Sequence, residues 1–245
     1  KQTAFLVPAV TIVVRDLRGD DEREEAFHFT GGITEFVDTL SSGEPVTNVV
    51  RLTGAGHFHE TVPVLDAKGH MHSQEVEREL GVDIALRWND NYDTTVKSFV
   101  NVIATPSGGT HVAGFERSIT KVLNEQLRAG KILKSGEDNV IKDDVLEGMT
   151  AVITVRVPEP QFEGQTKEVL GTPAVSRIVA SDVSKQLGAW FSKPARGSKA
   201  YARAALDKVA NASRVRLAAR QQRDVARRKT ALESSALPAK LVDCR

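Results

Sequence analysis

Between Val82 and Leu127 the apolar residues of this chain change period, and that change rules out most fold classes. From Val82 to Trp88 they alternate, with Val82, Ile84, Leu86 and Trp88 on one face and Asp83 and Arg87 on the other, as in a strand buried on one side. From Val112 they recur at helical spacing, through Phe115, Ile119, Val122, Leu123 and Leu127. Both periods return downstream. The β-branched run Thr150 to Val157 precedes a helix over Val175 to Phe191 with Val175, Ile178, Val179, Val183, Leu187 and Trp190 on one side. Strands in hairpins mixed with helices predict an α+β fold with a mainly antiparallel sheet. A chain of 245 residues that is 40% hydrophobic and 27% charged can bury a core of that kind.

The other segments fill in this outline. Val10 to Arg15 reads as a β-branched strand, followed by an acidic stretch over Arg18 to Glu25 and a short strand at Phe27-His28-Phe29. Gly31-Gly32 opens a helix whose apolar positions are Ile33, Phe36, Val37 and Leu40. Val46 to Leu52 is a strand and Leu65 to Gly69 a turn. Asn89-Asp90-Asn91 is expected to fold Val82–Trp88 back onto a second strand, Thr95 to Ala104, as a hairpin. Thr110 is the expected N-cap of the helix behind it, and Asp143 that of a short helix before Thr150. Ser192 to Ser198 is a linker, and a long helix runs from Lys199 to about Lys229.

One connector carries chemistry. In Glu159-Pro160-Gln161-Phe162-Glu163-Gly164-Gln165-Thr166-Lys167, Pro158 and Pro160 stiffen the exit from a strand. Gly164 frees the backbone just before three donors: the Gln165 amide, the Thr166 hydroxyl and the Lys167 ammonium. A lysine on a shaped loop suits a phosphate; a solvated turn lysine is the other reading. The Gly-rich turn Ser107-Gly108-Gly109-Thr110-His111 before a helix can hold an anion or serve as a tight turn.

A second signal lies in the last helix. Arg216, Arg220, Arg223 and Arg227 fall four, three and four residues apart, which puts all four guanidinium groups on one face. With Arg214, Arg228 and Lys229 nearby and Asp224 the only acid among them, the stripe suits a phosphate backbone bound by summed charge; a solvated helix face is the alternative. Formal net charge is only +1, so any nucleic-acid surface has to be local. His57, His59, His70 and His72 supply four of the six histidines. A polar surface hairpin accounts for them without a metal, and no metal is expected. No Ser-His-Asp set, paired-carboxylate arrangement or P-loop is identifiable. There is no apolar run long enough to span a bilayer and no signal-peptide pattern. The single Cys244 excludes an internal disulfide framework and fits a cytoplasmic, reducing setting. The chain starts at Lys1 without a methionine and enters strand-like sequence almost at once, so it reads as a piece of a longer protein.

Many of these segments, in this order, closely resemble the middle of the B subunits of type IIA DNA topoisomerases, DNA gyrase and topoisomerase IV. The match is carried by Phe27-His28-Phe29 with Gly31-Gly32-Ile33, by Leu86-Arg87-Trp88-Asn89-Asp90, by Gly108-Gly109-Thr110-His111 and by Asp143-Asp144-Val145-Leu146-Glu147-Gly148. The Glu159 to Lys167 loop, Ala218-Ala219-Arg220, Arg227-Arg228-Lys229 and Leu237-Pro238-Ala239-Lys240-Leu241 complete it. The loop composition is nearer to actinobacterial topoisomerase IV-like subunits than to gyrase.

The resemblance implies an organisation: residues 1–25 as the end of an ATPase domain, 26–198 as a transducer domain of ribosomal-protein-like βαβ fold, 199–230 as a long connecting helix and 231–245 as the start of a metal-binding cleavage domain. It implies that Lys167, beside Gln165 and Thr166, contacts the terminal phosphate of ATP bound with Mg2+ mostly by an upstream domain. It further implies a homodimer that closes on ATP binding, an A-subunit partner, and duplex DNA facing Arg216, Arg220, Arg223 and Arg227. The catalytic glutamate and the acidic metal ligands of the family lie outside these residues, so this chain alone is expected neither to hydrolyse ATP nor to cut DNA. Two departures stand out: Gly54 to Leu80 is longer than the family pattern, and Ala239 stands where glycine is usual. A stand-alone nucleic-acid-binding module of the same fold is the alternative.

Overall fold

The structure, a computed structural model, describes residues 1–18, 23–65 and 70–234, with side chains as far as 228. The expected turn at Leu65 to Gly69 falls largely outside these residues, and the segment containing Ala239 and Cys244 falls wholly outside them. The chain opens with a helix, α1 (Gln2–Leu6), ahead of the antiparallel pair β1 (Ile12–Asp16) and β2 (Arg23–Phe27). The short strand expected at Phe27-His28-Phe29 thus ends at Phe27. Phe29, beyond it, stacks on Phe5 of α1, and Phe5 in turn lies 4.6 Å from the Phe36 ring. Phe36 belongs to α2 (Ile33–Leu40), which begins at Gly32 as its sequence predicts.

A five-stranded sheet follows. Strands β3 (Val50–Leu65) and β4 (Met71–Trp88) pair antiparallel over sixteen positions, from Val50↔Leu86 to Leu65↔Met71. Both are longer than their apolar runs suggest, and His57 and His59 lie on the extension. Next come β5 (Thr95–Val100), β6 (Ile103–Ala104), α3 (Thr110–Ala129), α4 (Lys142–Leu146) and β7 (Met149–Arg156). The spatial order is β3-β4-β7-β5-β6. Three of the four pairings are antiparallel, and β5 and β7 run parallel, joined through α3 and α4. The architecture is mixed α+β with a βαβ crossover.

This order corrects the expected hairpin between Val82–Trp88 and Thr95–Ala104. β7 lies between them, because its residues are buried on both faces. Met149, Ala151, Ile153 and Val155 join the main core while Val152 faces the second cluster, and such a strand needs a neighbour on each side. The gap is held open where β4 ends. The Trp88 Nε1–H donates to Val145 O (2.9 Å), the Asn89 N–H donates to Gly148 O (2.8 Å), and the buried Asn89 amide also donates to Thr150 Oγ1 (3.1 Å). Asn89 therefore fastens β4 to the incoming β7 rather than turning β4 back on itself.

The Thr95–Ala104 segment is itself split by a tight turn. Asn101 (φ 47) and Val102 (φ 66) occupy its two centre positions between Val100 and Ile103, which pair across it. Positive φ at both positions suits a two-residue hairpin loop, but a β-branched residue in the left-handed region is strained. Asn101 compensates by clamping the end of β7: it donates from Nδ2 to Val157 O (2.6 Å) and accepts at Oδ1 from Val157 N–H (2.9 Å).

Helices cover the two sheet faces unequally. On one, α3 and α5 (Pro173–Ser192) pack together and enclose Trp88, Phe115, Ile119, Leu123, Ile153 and Leu187. Between β7 and α5 lie two short strands, β8 (Phe162–Glu163) and β9 (Val169–Leu170). On the edge strand β3, the Gln186 amide of α5 accepts from Thr53 N–H (3.1 Å) and donates to Thr53 O (2.9 Å), taking the place of a neighbouring strand. The final helix, α6 (Lys199–Ser234), buries Ala202, Ala205, Leu206, Val209 and Ala210 and is exposed from Ala218 to Arg228. The opposite sheet face carries only α1 and α2, over Ala85, Phe99 and Val152. Two caps differ from expectation. Gly109 precedes α3, so Thr110 is its first residue, and Asp144 rather than Asp143 caps α4 by accepting from Ile141 N–H (2.9 Å).

Val102→Gly removes the left-handed strain. Allowing for the greater freedom of glycine in the unfolded chain, it is expected to raise stability by about 1 kcal/mol, measured as a higher urea midpoint at unchanged slope.

Candidate functional site

Lys167 sits on a ribbon built from β8 and β9, paired as Phe162↔Leu170 and Glu163↔Val169. Gly164 (φ 79) and Lys167 (φ 57) both take left-handed conformations in the turn between them. Gln165, Thr166 and Lys167 are exposed, and none has a side-chain hydrogen bond or ion pair among the described residues. The three predicted donors are thus brought together, on a turn whose own fold does not use them.

The base of the ribbon is held firmly. Leu170 is fully buried and donates its N–H to Gly108 O (3.1 Å), with Gly109 bridging beside it. A Cβ on Gly109 would lie 2.4 Å from both Leu170 N and Leu170 O, and Gly109 has φ 133. The Gly-Gly pair therefore lets two backbones meet, as a tight turn would, and seats the ribbon on the start of α3. Gln161 N–H donates to Thr172 Oγ1 (3.1 Å), and Gly171 N–H to Gln161 O (2.8 Å).

A further brace comes from the long β3–β4 hairpin, which sequence reasoning left without a role. The Gln161 amide donates to Glu60 Oε1 (2.8 Å), Arg78 Nη2 donates to Glu159 Oε2 (2.9 Å), and Arg78 Nε lies 3.6 Å from Glu60 Oε2. Glu60 and Arg78 are both four-fifths buried. The segment from Gly54 to Leu80, anomalous against the family pattern, thus supports the strand exit that leads to Lys167. The signal available was Glu60 alternating with Phe58, Val62 and Val64 on the inward side of the strand. His57 and His59 point to the other face, where His57 Nδ1 lies 3.6 Å from Glu77 Oε1. His59 pairs in register with Glu77 while His72 pairs with Val64, so five strand positions, roughly 17 Å, separate the two pairs.

His111 lies directly behind the Gly-Gly turn and is fully buried. Its Nε2 is 3.2 Å from Thr105 Oγ1, Thr105 in turn contacts Ser98 Oγ (2.8 Å), and Nδ1 has no partner. Burial lowers its pKa from 6.5 to about 4.

The arginine stripe divides in two. Arg216 is committed to the body of the protein: it donates from Nε and Nη2 to both oxygens of Asp144 (2.7 and 2.9 Å), and Asp144 is 3% exposed. This pairing raises the Arg216 pKa above its ordinary value. Arg214 donates to Ile132 O (3.0 Å). Arg220, Arg223 and Arg227 are exposed on the projecting half of α6 and have no acid partner among the described residues. The four do share a helix face, but three of them remain available to a ligand.

The mixed sheet with its covering helices is an α+β architecture shared with the ATPase-type domains of gyrase B proteins. The family model for DNA gyrase B matches residues 32–225, and the chain belongs to that family. It is 36% identical over its whole length to the DNA gyrase B protein of Clostridium acetobutylicum, covering 34% of that protein. It is 38% identical to the DNA gyrase B protein of Streptomyces coelicolor over 94% of its own length, covering 31% of that protein. The chain therefore spans about a third of the length of these relatives. Among solved structures, the 43K ATPase domain of Thermus thermophilus gyrase B, in complex with an aminocoumarin, superposes with a TM-score of 0.69 at 26% identity, over 91% of this chain and 54% of that one.

The buried polar groups generate measurable consequences. Removing the cation in Arg216→Ala strands the Asp144 carboxylate and is expected to cost about 2 kcal/mol, below the usual range for buried pairs because Arg216 is partly exposed. Arg220→Ala is expected to stay within about 0.5 kcal/mol, both read from urea melts. For His111, the unfolded state binds the proton at a higher pH than the fold does. Its contribution is therefore constant above pH 6.5 and stability is lost as pH falls toward about 4, at up to about 1.4 kcal/mol per pH unit. His111→Gln should remove that component of the slope in urea melts taken across this range.

Proposed function

We propose that this chain is the transducer part of an ATP-dependent type IIA topoisomerase B subunit, coupling ATP binding and hydrolysis to closure of a DNA gate and strand passage. The observation that carries the reading is the braced ribbon. Lys167, Gln165 and Thr166 stand free of internal partners among the described residues, while the ribbon beneath them is fixed by its backbone to the Gly108-Gly109 turn and by the Gln161 and Glu159 side chains to Glu60 of β3 and Arg78 of β4. A fixed base under free donors suits a group that must meet an anion in one place.

The residues fit a nucleotide phosphate. Lys167 offers a compact charge, and Gln165 and Thr166 offer neutral donors. They do not supply a magnesium site, since the described residues hold no group of three acidic, histidine or cysteine ligands. Bound ATP with Mg2+ would present the phosphate charge that Lys167 neutralises, with the nucleotide held mostly by an upstream domain. Lys167 then reports nucleotide state through Pro160 and Val157 to the central strand β7, a local charge contact with a domain-scale readout.

On this reading residues 1–25 end the ATPase domain, 26–198 form the transducer with its ribosomal-protein-like βαβ core, 199–230 form the connecting helix and 231–245 begin the cleavage domain. Arg220, Arg223 and Arg227 flank captured duplex DNA, and Arg216 anchors the helix that presents them. The assembled protein dimerises on ATP, pairs with an A subunit and works in the cytoplasm. No helix among the described residues is long and apolar enough to cross a membrane.

ATP turnover by the longer protein, wild type against Lys167→Ala, with and without duplex DNA, tests this. Turnover is expected to fall by a factor of about one hundred or more, with nucleotide binding retained. Unchanged turnover would make the ribbon structural and leave a nucleic-acid-binding module using α6 as the better account.

A further inference from the structure

The thinly covered face of the sheet holds a cavity of about 520 Å³ that the proposed function does not use. Its size is that of a small-molecule site. Apolar walls come from Leu6 and Pro8 at the end of α1, Ile33 at the start of α2, Phe99 of β5 and Val102 in the strained turn. Most polar groups at its edge are already committed. Asp83 accepts both donors of Arg51 (3.0 and 2.8 Å), Thr154 Oγ1 donates to Asp83 O (2.9 Å), and the Asn101 amide is spent on Val157. Arg156 is the exception. It lines the cavity, is exposed, and its guanidinium has no hydrogen bond or ion pair among the described residues.

The turn supplies an independent observation. Val102 is held at φ 66, and its apolar side chain forms part of the cavity wall while remaining half exposed. Glycine would serve this turn without strain, so a valine here stores a cost that turn geometry does not require. What valine adds is apolar surface facing the cavity.

We infer that this cavity is a binding site for a small apolar carboxylic acid, its hydrocarbon or aryl body lodged between Ile33, Phe99 and Val102 and its carboxylate held by Arg156. An unpaired guanidinium at the mouth of an apolar pocket selects a carboxylate by charge-assisted hydrogen bonds. A second cation would compete with it for the anion, but Arg51 faces Asp83 and is neutralised there. The site is independent of the Lys167 reading, since it shares no residue with the ribbon.

The test is a methyl chemical-shift titration of the isotope-labelled chain with phenylbutyrate, and with phenylbutanol as the uncharged counterpart, for wild type and Arg156→Gln. Arg156 is exposed, so the variant should keep the wild-type spectrum. In the wild type, phenylbutyrate is expected to shift the Leu6, Ile33 and Val102 methyls saturably and to bind about tenfold more tightly than phenylbutanol. Arg156→Gln should abolish that difference by weakening the acid about tenfold while leaving the alcohol unchanged. Equal affinity for acid and alcohol in the wild type, the absence of a saturable shift at these methyls, or an acid affinity indifferent to Arg156→Gln would each overturn the inference.

Discussion

Everything in this fold depends on β7 being buried on both of its faces. Its eight residues place Met149, Ala151, Ile153 and Val155 against the helices and Val152 against α2. A strand buried on both sides is stable only inside a sheet. It therefore occupies the slot between β4 and β5, and the chain between those strands cannot close as a hairpin. The Trp88 and Asn89 hydrogen bonds to Val145, Gly148 and Thr150 are the means by which that slot is kept. The strand is central to the sheet, and its C-terminal exit is the one leading through Pro158 and Pro160 to Lys167.

The ribbon gains its rigidity from elsewhere in the chain. Two strands of two residues each have little intrinsic stability. Their position is set by the backbone contact between Leu170 and the Gly108-Gly109 turn, and by the Arg78–Glu159 ion pair and the Gln161–Glu60 hydrogen bond reaching from the β3–β4 hairpin. A loop supported at its base and free at its tip combines low mobility in the frame with open chemistry at the contact. It also gives the extended hairpin a role inside this chain, as a buttress for the ribbon.

Much of this is legible in the sequence, and the failures have physical causes. The helices α2, α3 and α5 follow from apolar spacing, and the free cluster Gln165-Thr166-Lys167 from its Gly and Pro frame. The sheet order is not legible, because alternation identifies a strand but says nothing about its neighbours. The turn at Asn101-Val102 is hidden because valine replaces the glycine that usually marks it. The four arginines do fall on one helix face, yet Arg216 serves structure, since its partner Asp144 lies 72 residues away in sequence. His111 draws attention only as part of the Gly-Gly-Thr-His run; its burial depends on where α3 settles on β5 and β6, which no local pattern states.

The ends of α6 behave differently under rotation of the domain. Its first half is bolted to the body through small residues that allow close approach, Ala202, Ala205 and Ala210, and through the Arg216–Asp144 clamp. Beyond Leu217 the helix continues to Ser234, about 25 Å further at 1.5 Å per residue. The helix is thus a lever with its fulcrum at Asp144. A tilt of about ten degrees in the sheet and its helices would sweep the far end by roughly 4 Å over that length.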